Sequence, residues 1–573
     1  MALFSEERAS LLDNESAHRW FLFLLLGLTL LYAPLLLADY AWDDEALVLA
    51  RQAALNQGTA LAGNGDLWMA VGEEARQSGY YRPAFLWSLD LDSFFGAGKP
   101  GLAHMHSLAW HLAAVLGLYL LLTQLFSGPA ALLGTALFAF HPVQSEAVAW
   151  IAARNDMMAS AFGFMAMAAL LPTRAPPVRL ALGGLFLLGA LLSKEHAVAF
   201  VLLFFALDWV RRGRPKRSGR IEVVVGVVVV YVGLRIGASL DAPSLQLPSV
   251  LDVCNVVGHY LSLIVIPQPL SVSTTLDDFA WSPRRLVGCT LGVSAAAAMC
   301  LRGGRFAGLG LLFAAVAFLP ALFSVGAVGQ LGDRFLYLPL AGVGMALAAG
   351  LPEKLPARRT GLGLVVLILV GSLLVSDRLP DWRDSESLWT AEVEISGTPY
   401  AHANLANVLH RQGRLNEALP QYLQSLEVPA PRLDRCGDTV RLALALGDAQ
   451  RGLDLVERAY AAGCPKTPRR EGIRALLLVG LQRFVEAEEV ARQNPEDPLG
   501  RSQLVLALAA QRVGNEDEVA NYRAQYAQRG VSAVAFDAML KTLSSPSAGS
   551  RGEPLSPPST QHSGEEEEPE QRE

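Results

Sequence analysis

Charged residues are scarce in this sequence. Asp, Glu, Lys and Arg make up 18% of the 573 residues against 52% hydrophobic, where a soluble globular domain carries roughly 25% charge. The deficit is concentrated before about residue 376, and Arg, Glu and Gln dominate afterwards, so that step marks the main domain boundary. No face is basic enough for nucleic acid, which excludes that partner. The net charge of -7 owes much to the acidic run 565–568 and says little about partners. Cysteine is sparse too. Cys254, Cys289, Cys300, Cys436 and Cys464 form no CxxC and no Cys/His cluster at metal spacing, so no metal framework is legible. Cys436 and Cys464 read as two solitary thiols, with a pairing open to them where that half faces an oxidising compartment.

What is abundant is apolar sequence in long runs. Residues 20–38 are uncharged and about long enough to cross a bilayer core, which takes ~20 apolar residues. No small-residue cleavage site follows, so the run reads as a retained first helix. Further spans are expected at 104–126, 129–140, 157–171, 180–192, 197–210, 223–238, 286–301, 306–323, 335–351 and 362–375. Short basic loops prefer the cytoplasm. Arg211, Arg212, Arg214, Lys216, Arg217 and Arg220 form the densest basic cluster of this half. Arg174 with Arg179, Arg302 with Arg305, and Lys354 with Arg358 and Arg359 mark three more inner loops. All four fall inside if the apolar stretch 253–269 does not cross but re-enters or lies on the outer face. The result is about 11 spans with a cytoplasmic N-terminus. The large first loop 39–103 and everything after residue 375 then lie outside.

The second half repeats. Residues 399–432 fit a tetratricopeptide unit at its 34-residue period. Ala406 is the small residue of its first helix, Gly413 its turn, and Ala418, Tyr422 and Ser425 the packing positions of its second helix. Looser copies run through Gly447, Leu453 and Ala459, through Gly480 and Ala487, and through Gly514 and Tyr522. The fold class is therefore all-α: a polytopic membrane domain over 1–376, a connector over 377–398, a helical-repeat solenoid over 399–542 and a disordered acidic tail over 543–573.

Charges kept near a bilayer cost about 2.5–3.5 kcal/mol each at a helix centre and need a reason. Asp43, Asp44 and Glu45 follow the first span on the outer side; paired acids there can supply a general base, or simply open a helix. His141, Glu146, Arg154 and Asp156 fall in the second outer loop, and Lys194, Glu195 and His196 form the third. Arg235 sits toward the outer end of its span, and Asp333 and Arg334 precede another. All map to one side of the membrane, which points to an outward-facing polar site. Singly, such Lys and Arg residues often only snorkel to headgroups.

The order Trp42-Asp43-Asp44, Tyr81-Arg82-Pro83, His141-Pro142 with Glu146, Arg154 with Asp156, Ser193-Lys194-Glu195 and Asp333-Arg334-Phe335 resembles the transmembrane and tetratricopeptide-repeat (TMTC) protein O-mannosyltransferases. The likeness runs on through Trp382 and Leu388 into the repeat at 402–414 and covers nearly the whole chain except the tail. Ser145 stands where that family often has Thr, Asp333 where it often has Glu, and the repeat array is short. The resemblance implies a GT-C fold and transfer of a sugar, mannose, from a polyprenyl-phosphate donor to a Ser or Thr hydroxyl of protein outside the cytoplasm. Asp43 or Asp44 would be the base, and Glu146 a second acid or a sugar ligand. Arg82, Lys194, Arg235 and Arg334 would meet the lipid phosphate. His141, Arg154, Asp156, Glu195 and Asp333 complete the expected substrate-binding set, with Asp156 orienting or pairing with Arg154, and His141 bonding substrate or serving a structural turn. The partners implied are the lipid-linked sugar, acceptor protein on the repeats and membrane lipid. No cofactor is implied, and metal dependence stays open.

Three rival readings remain. One is a membrane scaffold whose repeats recruit proteins, although one anchor helix would serve it. Another is a transporter, which usually places ionisable groups near the bilayer midplane. The third keeps the GT-C enzyme but gives it a lipid or glycan acceptor, against which the repeats favour protein.

Overall fold

A computed structural model describes residues 2–56, 80–96, 99–172, 175–213, 219–238, 249–275, 281–328, 331–426, 436, 442–528 and 532–544. The middle of the first outer loop, Arg174, the basic residues Arg214, Lys216 and Arg217, and the tail beyond 544 lie outside the described residues. Every extended element among those described is a helix, and no sheet is present among them. The chain divides into two compact units, Met1–Thr398 and Pro399–Glu573.

Among the described residues of the first unit four helices are long and apolar enough to cross a membrane: Ser16–Leu37, Pro100–Leu122, Pro283–Phe323 and Ala357–Arg383. Shorter apolar helices include Gly128–Phe140, Pro177–Ser193 and Val250–Val265. The runs at 286–301 and 306–323, expected as separate spans, are two helices within Pro283–Val328 that meet at a kink. The path turns at Gly304, whose φ of 56° and ψ of -133° leave the helical region. Only glycine adopts that conformation without strain.

Peripheral and central helices differ in what surrounds them. Along Ser16–Leu37, Phe21, Leu24 and Leu28 are buried while Trp20, Leu22, Phe23, Leu26 and Leu30 are exposed. An element apolar on both sides has protein on one and lipid on the other. Gly128–Phe140 is enclosed almost all round. There the backbones touch: a Cβ on Gly134 would collide with the Gly344 carbonyl, and one on Gly310 would stand 2.6 Å from the Gly342 carbonyl oxygen. Lipid gives no hydrophobic drive for helices to associate, so such close van der Waals crossings hold the bundle.

The second unit consists of short amphipathic helices, among them Pro399–Arg411 with Leu415–Ser425, Pro468–Gly480 with Phe484–Gln493, and Arg501–Arg512 with Glu516–Ala527. Their junctions share one construction. Backbone N–H groups of Arg414, Arg483 and Asn515 reach back to the carbonyls of Leu409, Leu478 and Ala510 at 2.9, 2.9 and 3.0 Å. Left-handed residues at Gly413, Gln482 and Gly514 make each return possible.

Cys436 and Cys464 do not stay solitary; they form a disulfide. Both are buried, and Cys464 is turned inward just after the left-handed Gly463 ends the helix Ala449–Ala461. Linear spacing carried no sign of this. Cys464→Ser removes a crosslink between residues 28 apart and is expected to destabilise this unit by about 2–4 kcal/mol. Thermal unfolding of the variant, with a free-thiol count on the denatured wild type, checks both the cost and the pairing.

Candidate active site

The site begins where the chain leaves its first membrane helix. Trp42 holds a φ of 63°, which costs a non-glycine residue about 1–3 kcal/mol. Aromatic packing holds it there: its ring stacks on Trp150 at 4.4 Å and meets Trp389 edge-on at 5.3 Å. Its N–H donates to Ser385 Oγ at 2.9 Å. The following two carboxylates diverge. Asp44, at the start of helix Asp44–Asn56, is fully buried and accepts from the backbone N–H groups of Ala152 at 2.8 Å and Ile151 at 3.2 Å. Asp43 is half-buried and accepts from Trp150 Nε1 at 3.0 Å. Burial pushes the Asp43 carboxyl up to about 6 against the opposing Trp150 hydrogen bond and Arg334 charge. Asp44 is raised further by burial and by the Asp43 charge.

Arg334 faces this acid. It lies in the turn Asp333–Leu336, with its guanidinium 4.7 Å from the Trp150 ring, 4.8 Å from Phe335 and 5.8 Å from Trp42. Buried Glu146, in the short helix Gln144–Ala149, grips it twice: an ion pair to Nη1, and a hydrogen bond from the Arg334 backbone N–H to Oε2 at 3.0 Å. Gly332 makes room for the pair, since a Cβ there would collide with Arg334 Nη1. Its φ of -92° suits alanine equally well. Gly332→Ala is therefore expected to fold normally while displacing the guanidinium. Moving the guanidinium loosens its pair with the buried Glu146, so the variant is expected to unfold at a lower temperature, by less than outright removal of Arg334, as a melting curve measures.

A second cationic group adjoins it. Lys194 donates to Asp156 Oδ2 at 2.6 Å, and His196 Nδ1 lies 3.5 Å from the other oxygen of that carboxylate. Arg82 clasps Glu195 through Nε at 3.2 Å and Nη2 at 2.8 Å, and lies over the Tyr80 ring. Burial lowers the Lys194 ammonium, Asp156 opposes that, and the charges of Arg82 and Arg334 lower it further. Those three cations thus share one electrostatic field. Burial would lower Arg82, but Glu195 outweighs it and holds the guanidinium charged. Arg235 is half-buried, and its charge reaches Tyr81 beside Arg82.

Two expected members, Arg154 and His141, lie apart from this cluster, and a third, Asp333, is buried beside it. Arg154 does not pair with Asp156. Residues two apart on a helix do not share a face, and Arg154 instead binds Asp92 at 2.5 Å, Ser107 Oγ at 3.0 Å and the Ala103 carbonyl at 2.8 Å, fully buried. His141 has both ring nitrogens on backbone, Nε2 to the Ile264 carbonyl at 3.0 Å and Nδ1 accepting from Val143 N–H at 3.4 Å. Burial pushes its imidazole down to about 4, so it is neutral at physiological pH. Asp333 turns away from Arg334 into the interior, where burial, then the nearby Glu146 charge, raises its carboxyl far above the usual range.

Sequence reasoning passed over Trp150 and Glu392, and named His196 in the third outer loop without giving it a role. Fully buried Glu392 accepts from Arg378 at 2.6 Å, Ser271 Oγ at 2.7 Å and Ser273 Oγ at 2.8 Å. A carboxylate that takes so many donors ties residues 271–273 to the helix Ser385–Ile395. His196 was legible beside Lys194; Trp150 carried no local signal. Among the described residues no three His, Cys, Asp or Glu side chains gather as a metal site.

Comparison with known proteins bears on this acid–cation arrangement. A Caenorhabditis elegans protein O-mannosyl-transferase, F38B6.6, is 24% identical over 71% of this chain and 62% of its own length. The human protein O-mannosyl-transferase TMTC3 is 22% identical over 70% of this chain and 50% of its own. The chain is a distant homologue of the TMTC protein O-mannosyl-transferases. A third relative, the Drosophila melanogaster protein O-mannosyl-transferase Tmtc2, is 38% identical over a shorter stretch, 19% of this chain and 12% of its own length. The chain spans between half and two thirds of the length of the nematode and human relatives. No family model matches the chain. No solved structure matches it either.

Proposed function

We propose that this chain is a membrane glycosyltransferase that moves a mannosyl residue from a polyprenyl-phosphate donor to a Ser or Thr hydroxyl of protein on the extracytoplasmic side. The observation that carries this reading is the half-buried Asp43 carboxyl, pushed up to about 6 and facing Arg334, with Lys194 and Arg82 in the same field. A group with that proton affinity is ionised at neutral pH yet basic enough to take a proton. The acceptor O–H would give its proton to Asp43 while its oxygen bonds the anomeric carbon. The bond from that carbon to the phosphate oxygen breaks, its electron pair leaves on the polyprenyl phosphate, and configuration inverts. Fixed cations meet the developing phosphate charge in a site that water screens poorly. Glu146 holds Arg334 for that task, as Asp156 holds Lys194. Asp44, committed to backbone amides, positions the loop.

The disulfide supports placing the repeat unit in an oxidising compartment, on the same side as the polar cluster. We read about 11 spans and a short solenoid that presents acceptor protein. Membranes containing the chain, given labelled polyprenyl-phosphate mannose, are expected to incorporate label into protein by an alkali-labile linkage. Failure with both that donor and its glucosyl counterpart, in a folded preparation, would replace this reading with the scaffold.

A further inference from the structure

The helix Arg154–Leu170 starts at the polar cluster, where Asp156 holds Lys194, and ends at Leu170 about 25 Å away. Its far end gathers arginines. Arg179 Nη2 donates to the Ala168 carbonyl at 2.8 Å, and Arg212 Nη2 to the Leu171 carbonyl at 3.4 Å. Arg220 Nη1 reaches the Leu170 and Leu171 carbonyls at 3.3 and 3.2 Å. The three side chains come from three separate helices, Pro177–Ser193, Val198–Arg212 and Arg220–Gly237. Carbonyls at a helix C-terminus carry partial negative charge, which a single cation would meet. Arg220 is only 1% exposed, and one oxygen of buried Asp208 takes both its Nη2 at 3.0 Å and Arg212 Nε at 3.1 Å. Arg179 and Arg211 are exposed, and no carboxylate among the described residues pairs with either. Four guanidiniums thus stand against two carboxylates, Asp208 and Glu222. Burial lowers the Arg212 guanidinium, and the Arg220 and Arg211 charges lower it further against Asp208. The cluster is short of an anion.

We propose that Arg179, Arg211 and Arg212 bind the phosphate of an anionic phospholipid at the membrane face opposite the polar cluster, on a frame built by Arg220 and Asp208. Ala168 and Leu171 lie one turn apart, so the guanidiniums of Arg179 and Arg212 that bond their carbonyls are near neighbours. A guanidinium has five N–H donors. Arg179 spends one of them on an internal acceptor and Arg212 two, which leaves both forks open to phosphate oxygens. Continuity of the apolar surface makes the occupant a lipid. Trp209, one turn before Arg212, is 58% exposed, and Leu202, on the same face of that helix, is 52% exposed. Leu182, one turn after Arg179, is 46% exposed. Acyl chains along these side chains would bring a phosphate to the arginines, and a tryptophan at that level suits the membrane–water boundary. Basic pockets between membrane helices hold acidic headgroups in this way. The inference rests on the chain being a membrane protein and stands or falls independently of the transferase reading.

The test uses the full chain, purified in dodecylmaltoside and stripped of lipid, with dioleoylphosphatidylglycerol titrated in and bound lipid read by native mass spectrometry. The wild type is expected to bind it roughly tenfold or more tightly than dioleoylphosphatidylcholine. Arg179→Gln/Arg211→Gln should weaken phosphatidylglycerol binding roughly 25-fold, about fivefold for each cation removed. Both positions are exposed, and an amide at 179 can still donate to the Ala168 carbonyl, so the melting curve should stay near wild type. Should that chain unfold, Arg211→Gln alone is read for its fivefold loss. Arg302→Gln/Arg305→Gln removes two exposed cations from another short loop and should leave binding unchanged. Equal affinity for the two lipids would overturn the inference. An equal loss in the Arg302/Arg305 chain would overturn it too, by reducing the site to diffuse charge. Displacement of the lipid by millimolar inorganic phosphate would make a soluble anion the occupant and overturn the lipid assignment.

Discussion

Asp43→Asn is expected to lower the turnover of sugar transfer by on the order of 10²–10⁴-fold, the usual contribution of a general base, with the fold unchanged. Asn keeps an oxygen at the position that accepts from Trp150 Nε1, and the side chain is only half-buried, so little else is lost. The neighbouring Asp44→Asn would behave differently. Its new amide N–H groups would confront the Ile151 or Ala152 backbone N–H, both of which Asp44 now accepts. That variant should fail in stability before it fails in chemistry. The pH dependence separates them further. A base works deprotonated, and Asp43 is pushed up to about 6, so the wild-type rate should climb as pH rises through about 6 and then level. The residual rate of Asp43→Asn should lack that step. An unchanged rate in the Asn variant would remove Asp43 from the chemistry.

Arg334→Met is expected to cost about 3–5 kcal/mol of stability, because it strands the buried Glu146 charge. Exposure of the pair, 14% for Arg334 and 2% for Glu146, leaves the carboxylate little water to replace its partner. Adding Glu146→Gln to the same chain removes the stranded charge and should recover most of the loss. Transfer should not recover, since the guanidinium proposed to meet the phosphate is still missing. Melting curves and initial rates on both chains make the distinction. A single variant as stable as wild type would mean that Glu146 is not enclosed.

The helical class was legible because apolar runs of bilayer length can satisfy their backbone only as helices. The polar cluster was legible in part, because acids and cations in a charge-poor half are conspicuous. The remainder depended on contacts that cross long separations. Trp150 meets Asp43 107 residues away, and an aromatic in an apolar stretch gives no local sign of it. Asp43 and Asp44 were inseparable in sequence because the backbone direction at Trp42 decides which one is committed to amides. Arg154 and Asp156 are a different case. Their two-residue spacing already argued against pairing, but the Asp92 that claims Arg154 lies on another helix. The Cys436–Cys464 link likewise arises from a chain reversal at Gly463 that no cysteine spacing announces.

The left-handed backbone at Trp42 has an evolutionary corollary. A tryptophan stays in that conformation only while Trp150 and Trp389 enclose its ring. Losing either neighbour first would let the strand relax and swing Asp43 away from Arg334, whereas changing Trp42 first would leave two large rings facing a void. Each single step passes through a damaged intermediate. The three tryptophans, far apart along the chain, are therefore bound into one heritable unit that lineages can keep or abandon together but not exchange piecemeal.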